Sequence, residues 1–396
     1  MIQRSNYLEL LKSFKDKQLI KVTTGIRRCG KSTLYEIYRD YLKCIDISDE
    51  QIISINLEDP DFSEIREYRK LYEYINERLV PDKMNYVFLD EVQKVKNFQE
   101  ACDGLYVKKN VDLYITGSNA SILSGELATL LSGRYVEIKM QPLSFKEYIS
   151  ALEDKTDLSR KYREYIESGS FPYILELEGK KAKSIYLEGI YNSVVLKDII
   201  SRKKILDVPT LENVIRFIFD NIGNPTSATK IANALTSGGN KTTVNTVESY
   251  LKSLLESFII YKAERYDIKR KQLLETGGKY YVADIGLRYH LLGTKKADRG
   301  HILENIVYLE LLRRGYEVYI GKVGVAAVDF IAINDEGTEY YQVAYSVVDD
   351  DVLNRELKPL DIIQDHNPKY LLTMDDDPLT SHNGIKQINV LDWLLK

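Results

Sequence analysis

A lysine and a serine that close a glycine-bounded loop are the residues of this chain whose types and spacing most directly suggest chemistry. Residues 25–32 read G-x-x-x-x-G-K-S, the spacing of a loop that binds phosphate. In such a loop, successive backbone N–H groups and the positive end of a helix dipole face a single anion. We expect Lys31 to reach the β- and γ-phosphates of a nucleotide and the Ser32 hydroxyl to ligate Mg²⁺. The remaining nucleotide contacts are expected from Gly25, Arg28, Cys29, Gly30 and Thr33.

The segments on either side of this loop must hold it, and their composition is that of a strand and a helix. Residues 19–23 form an apolar and β-branched run before the loop, and residues 34–38 continue from it with apolar residues at helical spacing. A chance match, in which the glycines only bound an ordinary turn, would not need this context. A second β-branched run at 51–57 predicts another strand, so that strand, helix and strand form one unit of a buried parallel sheet.

An acidic pair ends the next predicted strand. Residues 86–89 are apolar and are followed at once by Asp90 and Glu91, at the carboxyl end of the strand, where ligands bind in open α/β sheets. Phosphoryl transfer depends on positioning and charge neutralisation, so we expect Asp90 to hold Mg²⁺ through water and Glu91 to orient and deprotonate the attacking water. The pair could instead cap the helix that follows, but the phosphate loop upstream favours catalysis.

Further candidates follow the strand predicted at 111–116. Small polar residues end that strand, and Ser118 or Asn119 could contact the γ-phosphate or the water. A helix is predicted over 121–131, and Arg134 comes after it, next to a glycine. Arg134 could offset transition-state charge as a guanidinium finger, or it could form an ordinary surface ion pair; the spacing leaves both interpretations open.

Length and composition indicate a multi-domain protein without a membrane segment. The chain has 396 residues, of which 44% are hydrophobic and 29% charged, and this length suggests about two to four domains. Because no apolar run is long enough to cross a bilayer and the amino terminus lacks a signal-peptide pattern, a cytoplasmic protein is expected. Three cysteines without metal-ligand spacing fit a reducing compartment. The net charge of −4 restricts any nucleic-acid contact to a local basic patch.

The middle of the chain predicts two helices followed by a hairpin. Helical patterns at 228–235 and 245–255 precede short strands at 258–261 and 280–282, which is the order of a winged-helix module. The segment between the strands is basic, and double-stranded DNA is the candidate partner that would contact it through phosphates. A protein-docking role or simple solvation of the hairpin is the open alternative. The basic residues are Lys262, Arg265, Lys269, Arg270 and Lys271.

The carboxyl-terminal part of the chain has the element order of a nuclease fold but lacks part of its chemistry. An amphipathic helix precedes three predicted strands, and this α-β-β-β order resembles the PD-(D/E)xK nuclease fold. Such enzymes hold Mg²⁺ with a helix Glu, a strand Asp and an acid-x-Lys motif on the next strand. Glu304 and Asp329 match, but Gln342 and Ala344 stand where the acid and the lysine belong. Lys322 is the nearest candidate for a displaced lysine, and a degenerate scaffold is favoured over an active nuclease.

Several motifs together resemble one family of prokaryotic ATPases. Besides the phosphate loop and the acidic pair, the chain contains I-N-L-E-D, I-T-G-S-N, L-S-G-R and P-L-S-F-K-E-Y. This set is similar to AAA-type (AAA_14) ATPases that carry a DUF4143 carboxyl-terminal region, and the similarity extends over nearly the whole chain. The resemblance implies nucleotide binding by Lys31 and Ser32, a catalytic acidic pair and a sensor at Asn119. It also implies Arg134 as a finger that acts from a neighbouring subunit of a homo-oligomer.

The fold class expected from these observations is α/β, with a P-loop AAA-type parallel sheet in the first of four domains. The domains are a P-loop ATPase domain at 1–150, a helical lid or connector at 151–208, a winged-helix domain at 209–293 and a degenerate restriction-endonuclease-like α/β domain at 298–396. We expect the protein to bind ATP and Mg²⁺ and to hydrolyse ATP to drive a conformational switch. A phosphotransferase would need an acceptor-binding lid, which the pattern lacks. A nucleotide-binding scaffold with little turnover and, less favoured, an ATP-gated nuclease stay open as alternatives.

Overall fold

The chain divides into two compact units, which are described separately. They are Met1–Pro142 with Glu256–Phe258, and Leu143–Leu255 with Ile259–Lys396. The computed structural model describes residues 2–120, 133–193, 198–203, 205–293, 298–376 and 380–396. The helix predicted over 121–131 lies outside the described residues. None of the helices in the described ranges is long and apolar enough to cross a membrane.

The amino-terminal unit alternates strands and helices, as the sequence predicts. The described strands are β1 (Ile20–Thr24), β2 (Ile52–Asn56), β3 (Asn85–Asp90), β4 (Val111–Gly117) and β5 (Tyr135–Lys139). The described α-helices are α1 (Ser5–Ser13), α2 (Lys31–Cys44), α3 (Tyr68–Asn76) and α4 (Phe98–Tyr106). Short 3-10 helices lie at Asp49–Gln51, Pro60–Ile65 and Val92–Lys94.

The five strands form a parallel sheet in the order β2-β3-β4-β1-β5. Because all strands run the same way and β4 lies between β1 and β3, the phosphate loop, the acidic pair and the polar residues after β4 meet at one edge. This arrangement confirms the predicted α/β fold with its parallel sheet. The sequence analysis does not anticipate β5, a short edge strand that is only partly buried.

Helices pack on both faces of this sheet and fix where α2 begins. On one face, α3 and α4 contribute Leu71 and Leu105 to a core with the strands. On the other, the Tyr38 ring of α2 contacts the rings of Phe88 and Tyr114, with centroids 6.2 and 5.2 Å apart. The aromatic contacts anchor α2 to the centre of the sheet, so the first turn of the helix is held at the edge where the phosphate loop ends.

The second unit is helical in its first half and mixed α/β in its second. Its described α-helices are α5 (Phe145–Ser150), α6 (Leu158–Ser168), α7 (Gly179–Ile190), α8 (Asp198–Lys203), α9 (Val208–Asp220), α10 (Ala228–Ser237), α11 (Val244–Glu256), α12 (Ile285–Leu292), α13 (Arg299–Arg313), α14 (Asp350–Asp361) and α15 (Val390–Leu395). A 3-10 helix lies at Pro172–Glu176.

The strands of this unit form one mixed sheet. They are β6 (Ile260–Asp267), β7 (Gln272–Val282), β8 (Glu317–Val323), β9 (Ala326–Asn334), β10 (Gly337–Val343), β11 (Lys369–Thr373), β12 (Thr380–His382) and β13 (Ile385–Asn389). The order across the sheet is β12-β13-β11-β10-β9-β8-β6-β7. The sheet contains antiparallel pairs, such as β9 with β10, and parallel pairs, such as β10 with β11.

The predicted wing differs from the hairpin that the structure contains. Helices α10 and α11 lie close to their predicted positions, but β6 and β7 are longer than predicted and include Lys262 and Arg265. Only residues 268–271 form the turn. Strand β6 pairs in parallel with β8, so the hairpin is one edge of the eight-stranded sheet. The domain boundary expected at 293–298 therefore does not separate two compact units, because strands distant in sequence pair across it.

The carboxyl-terminal region has the predicted α-β-β-β order. Helix α13 is followed by β8, β9 and β10, and the last two strands form an antiparallel hairpin. Glu304 lies on α13, Asp329 on β9 and Gln342 on β10. The fold brings these three residues together, as described below.

Candidate nucleotide site

The phosphate loop turns sharply between β1 and α2. Gly25 and Gly30 have φ angles of 146° and 103°, in the region that favours glycine. A Cβ on Gly25 would lie 2.0 Å from the carbonyl oxygen of Met140, so a larger residue does not fit there. Arg28 also has a positive φ, 66°, and its side chain is exposed. These conformations let α2 begin at Lys31, directly after the loop.

The Lys31 ammonium lies buried beneath the loop. The residue is 4% exposed, and Nζ donates to the backbone carbonyls of Gly25 at 3.0 Å and Ile26 at 3.3 Å. Within the described ranges, no carboxylate pairs with it. Burying an ammonium group is unfavourable unless an opposite charge compensates it. The loop therefore surrounds a positive charge that a phosphate group would neutralise.

Hydroxyl groups from two elements, α2 and β4, converge on Asp90 at the end of β3. The Ser32 hydroxyl at the start of α2 and the Thr116 hydroxyl near the end of β4 both donate to its carboxylate. Thr116 is absent from the sequence prediction, although its place beside the expected sensor residues is a signal that could have found it. Hydroxyl and carboxylate oxygens are ligands that Mg²⁺ prefers. Among the described residues no group of three or more His, Cys, Asp or Glu side chains forms a metal site.

Glu91 is fixed at both its backbone and its carboxylate. Its φ of 53° lies in the left-handed region, and its N–H donates to the Thr116 hydroxyl at 2.9 Å. The Ser118 hydroxyl donates to Oε2 of Glu91 at 3.0 Å, and the amide of Gln93 donates to the same oxygen. Gln93 is a residue that sequence reasoning missed. The side chain of Glu91 thus stays at the sheet edge that also carries the phosphate loop.

Three other residues of the predicted site differ in how accessible they are. Asn119, after β4, is 5% exposed, and Thr33 in the first turn of α2 is half-buried. Cys29 is buried in the loop with Sγ 3.5 Å from the Met140 carbonyl oxygen, and burial raises the pKa of its thiol. The Cys29 side chain is therefore a packing group that faces the protein interior.

The structure places Arg134 beside α4. Its guanidinium forms an ion pair with Asp103 and lies over the Tyr106 ring, 5.4 Å from the centroid. The side chain is 42% exposed. In the described part of the chain, its side-chain contacts are to α4, and none of them reaches Lys31, Asp90 or the loop between them. The geometry within one chain is that of the surface ion pair that the sequence left open.

The acidic residues of the carboxyl-terminal region surround a lysine that the sequence analysis did not select. Nζ of Lys279, on β7, lies 2.7 Å from Glu304 and 3.4 Å from Asp329, so the expectation of Lys322 was wrong. Lys322 lies on β8, beside Ala327. Lys279 comes from the edge hairpin, and its proximity to Glu304 arises only from the tertiary fold.

We call Lys279, Glu304 and Asp329 the Lys279 cluster. Their charges shift one another's pKa values. Burial, with the nearby charge of Glu304, raises the pKa of Asp329 to about 6. Burial opposes ionisation of Glu304 as well, but the Lys279 charge and the hydrogen bonds from His301, Lys279 and Tyr281 together outweigh it and lower the pKa of Glu304. Gln342 bridges outward, since its amide donates to Glu356 at 2.8 Å and its oxygen accepts the Asp329 N–H at 3.3 Å. The Lys279 ammonium thus compensates part of the negative charge of Glu304 and Asp329 inside the fold.

The turn of the edge hairpin is basic and solvent-exposed. Asp267 accepts the backbone N–H groups of Lys269 at 3.1 Å and Arg270 at 3.0 Å, which shapes the turn. The side chains of Lys269, Arg270 and Lys271 are exposed, and no acidic side chain among the described residues pairs with them. Lys262, by contrast, pairs with a neighbouring glutamate on its own strand. The free positive charge is therefore concentrated at the turn.

Two family models match separate parts of this chain. Residues 17–149 match the AAA domain model AAA_14. Residues 159–298 match a domain of unknown function, DUF8612, in the region where the sequence analysis expected DUF4143. The first match covers the sheet edge with the phosphate loop and the acidic pair.

Relatives and a solved structure extend the comparison over most of the chain. An uncharacterized protein of Haemophilus influenzae is 42% identical over 400 residues, covering 100% of this chain and 99% of its own length. An uncharacterized protein of Methanocaldococcus jannaschii is 28% identical over 83% of this chain and 75% of its own length. A Walker-type ATPase of Pyrococcus abyssi is similar in structure, with a TM-score of 0.52 at 14% identity, covering 74% of this chain and 96% of that one. At that identity, the last match concerns the fold alone.

Proposed function

We propose that this chain, which belongs to one family with the Haemophilus influenzae protein and matches the AAA domain model over residues 17–149, binds ATP with Mg²⁺ and hydrolyses it to drive a conformational change. The observation that carries this proposal is the buried Lys31 ammonium, which no carboxylate of the described residues compensates, at the sheet edge where the oxygens of Ser32, Asp90 and Thr116 meet. A buried cation next to a set of hard oxygen ligands matches a phosphate anion that brings its own Mg²⁺.

Each residue at this edge has a defined part in the proposed reaction. The loop amides and Lys31 bind the β- and γ-phosphates, and Ser32 with Asp90 would hold Mg²⁺, whose chemistry is to neutralise phosphate charge. Glu91 accepts a proton from a water molecule as the water oxygen attacks the γ-phosphorus. The bond from that phosphorus to the bridging oxygen breaks, and ADP and phosphate are released. We expect Asn119 to sense the γ-phosphate or to help orient the water, as the family resemblance implies.

The test is steady-state ATP hydrolysis by the wild type and by Glu91→Gln. The amide cannot accept the proton, so turnover should fall by at least about a hundredfold, while ATP binding, measured by calorimetry, is retained. Glu36→Gln, an exposed change on α2, is the matched control and should hydrolyse ATP like the wild type. Slow turnover that is the same in Glu91→Gln and the wild type would instead favour a nucleotide-binding scaffold.

The basic turn favours a second element of function, contact with double-stranded DNA. Each cation that binds a DNA phosphate releases counterions. Replacing the three basic residues of the turn should therefore reduce the slope of log DNA affinity against log salt by about one per phosphate contact. DNA that stimulates ATP hydrolysis at low salt would link the two activities. An unchanged slope would show that the basic turn does not contact DNA phosphates. The variant replaces Lys269, Arg270 and Lys271 with Ala, and its control replaces Lys180, Lys181 and Lys183.

An oligomer in which Arg134 acts on the site of a neighbouring subunit is the finer proposal that follows from the family resemblance. Arg134 is half-exposed and its partner Asp103 lies in the same chain, so a neighbouring subunit could compete for the guanidinium. Arg134→Ala should then bind ATP but lose turnover, and mixing it with Lys31→Ala protein should restore part of the activity. If mixing restores nothing, Arg134 has a role only within its own chain.

A further inference from the structure

The carboxylate of Glu91 is held on one side only. The Ser118 hydroxyl, 3.0 Å away, and the Gln93 amide both donate to Oε2. Oε1 receives no hydrogen bond from any residue that the structure describes. One oxygen of the carboxylate is therefore committed to neighbours, and the other remains available to accept a proton.

The two donors are also connected to each other. The Gln93 amide lies 3.4 Å from the Ser118 oxygen, so the hydroxyl can accept from Gln93 while it donates to Glu91. We call these three residues the Glu91 triad. The backbone N–H of Glu91 is bound to Thr116, two residues before Ser118 on the chain. Both ends of Glu91 are thus tied to the end of β4.

The contacts of the Gln93 side chain lie within the Glu91 triad. Its side chain is exposed, and among the described residues its amide donates to the other two members of the Glu91 triad. A polar residue at the surface that only supports a neighbouring carboxylate contributes little to stability. Its contribution lies in the orientation of that carboxylate.

We propose that Gln93 and Ser118 are positioning residues that hold Glu91 by Oε2 and so direct Oε1 toward the attacking water. This inference rests on the proposed ATP hydrolysis and deepens it. A carboxylate that rotated freely would present either oxygen in many directions, and misplacement of a reacting group by 1 Å can reduce a rate by about a hundredfold. The hydrogen bonds of the Glu91 triad remove that freedom.

The experiment compares hydrolysis by the wild type, Gln93→Ala and Ser118→Ala with hydrolysis by the conservative variant Ser118→Thr. We expect kcat to fall about tenfold in Gln93→Ala and Ser118→Ala, with little change in KM. Ser118→Thr keeps the hydroxyl and should recover most of the activity. The melting temperature of Gln93→Ala should equal that of the wild type, because Gln93 is exposed. Gln18→Ala, which removes another exposed amide whose partner is the Tyr106 carbonyl, is the matched control and should leave kcat unchanged.

A pH profile separates orientation from simple damage to the fold. Gln93→Glu places a second carboxylate beside Glu91, and two neighbouring carboxylates resist ionising together. The acidic limb of the pH profile of kcat should therefore move to higher pH. Damage to the fold would lower kcat at every pH without moving this limb.

The outcomes distinguish this inference from the proposed function. No hydrolysis by the wild type, or hydrolysis that persists in Glu91→Gln, would overturn the proposed function itself. Hydrolysis that depends on Glu91 but is unchanged in Gln93→Ala would overturn only the inference. An increase of kcat in Gln93→Ala would also overturn it, because the Glu91 triad would then restrain the carboxylate away from the water.

Discussion

Two pairs of acidic residues in this chain differ in how they interact with a nearby lysine. In the amino-terminal unit, Asp90 and Glu91 accept hydrogen bonds from hydroxyl and amide groups, and the nearby Lys31 ammonium donates only to backbone carbonyls. In the second unit, Glu304 and Asp329 share the ammonium of Lys279. The residue types are the same, and the difference lies in whether the fold pairs opposite charges with one another.

This difference shows which pair is prepared for a ligand. A buried ion pair leaves no charge for a substrate to satisfy, and breaking it is strongly destabilising. Among the described residues, no carboxylate pairs with the buried Lys31 ammonium and no cation pairs with Asp90 or Glu91, so both signs of charge are left to be neutralised by a ligand. MgATP brings both signs in one ligand. The first edge is therefore suited to catalysis, and the Lys279 cluster is suited to holding the hairpin on helix α13.

The largest effect is expected from removing the lysine that is paired. Lys279→Met leaves two carboxylates buried without their cation, so the free energy of unfolding should fall by about 3 to 5 kcal/mol. Chemical denaturation at pH 7 measures it. The affinity for ATP should not change, because Lys279 belongs to the second unit.

The same hairpin offers a control for this change. Lys262 pairs with Glu264 at 3.2 Å, and both side chains are well exposed. Since exposed ion pairs contribute at most about 1 kcal/mol, Lys262→Met should cost far less than Lys279→Met. Equal losses from the two variants would mean that the Lys279 cluster is not an energetically important ion pair.

Replacing Lys31, with which no described carboxylate pairs, should have the opposite effects: a loss of ATP affinity and no loss of stability. Lys31→Met should weaken ATP binding by at least about a hundredfold, roughly 2.7 kcal/mol, because the phosphates lose their buried cation. The free energy of unfolding without nucleotide should stay the same or rise, since an uncompensated charge is removed from the interior. Calorimetric titration and denaturation in the absence of nucleotide measure the two quantities.

Lys43→Met on the same helix is the control for this variant. Lys43 forms an exposed ion pair with Asp49 and should affect neither nucleotide binding nor stability by more than about 1 kcal/mol. A marked loss of stability in Lys31→Met would contradict the comparison, because it would show that the fold already compensates the Lys31 charge.

A smaller effect is expected from pH. The pKa of Asp329 is raised to about 6 in the folded protein, so this carboxyl favours folding fully below its unfolded pKa of about 4. Its contribution is lost as the pH rises through about 6. Between pH 4 and pH 7, the free energy of unfolding of the wild type should therefore fall by about 2 kcal/mol relative to Asp329→Asn.

The opposing titration of Glu304 occurs in both proteins, and the difference between them reports the coupled titration of Asp329 with Glu304. The pKa of Glu304 is lowered, and its stabilising contribution is lost only as the pH falls. Denaturation curves at pH 4 and pH 7 provide the measurement. A difference that is the same at both pH values would show that Asp329 titrates normally and that its surroundings are not those described.

The nucleotide edge was predictable because its signals are local. The phosphate loop, Lys31 and the acidic pair follow continuous buried strands, and the parallel order of an α/β sheet brings the strand ends to one edge. Thr116 and Gln93 could not be selected from pattern alone, since a Thr inside a strand and a Gln after an acidic pair have no fixed meaning. Their roles come from hydrogen bonds that only the fold defines.

The second unit was less predictable because its organisation depends on distant strands. The helices α10, α11 and α13 were visible as periodic patterns, but local pattern does not show that β6 pairs with β8. That pairing turns a predicted wing into a sheet edge and carries Lys279 to Glu304. The sequence therefore suggested Lys322, on β8 of the same sheet, instead of Lys279, which the tertiary fold brings to the two acidic residues.

The most direct test of the comparison is phosphate release from MgATP by three proteins measured side by side: the wild type, Glu91→Gln and Asp329→Asn. The account predicts hydrolysis by the wild type and by Asp329→Asn, and ATP binding without hydrolysis by Glu91→Gln. Hydrolysis that survives in Glu91→Gln, or that disappears in a folded Asp329→Asn protein, would contradict it.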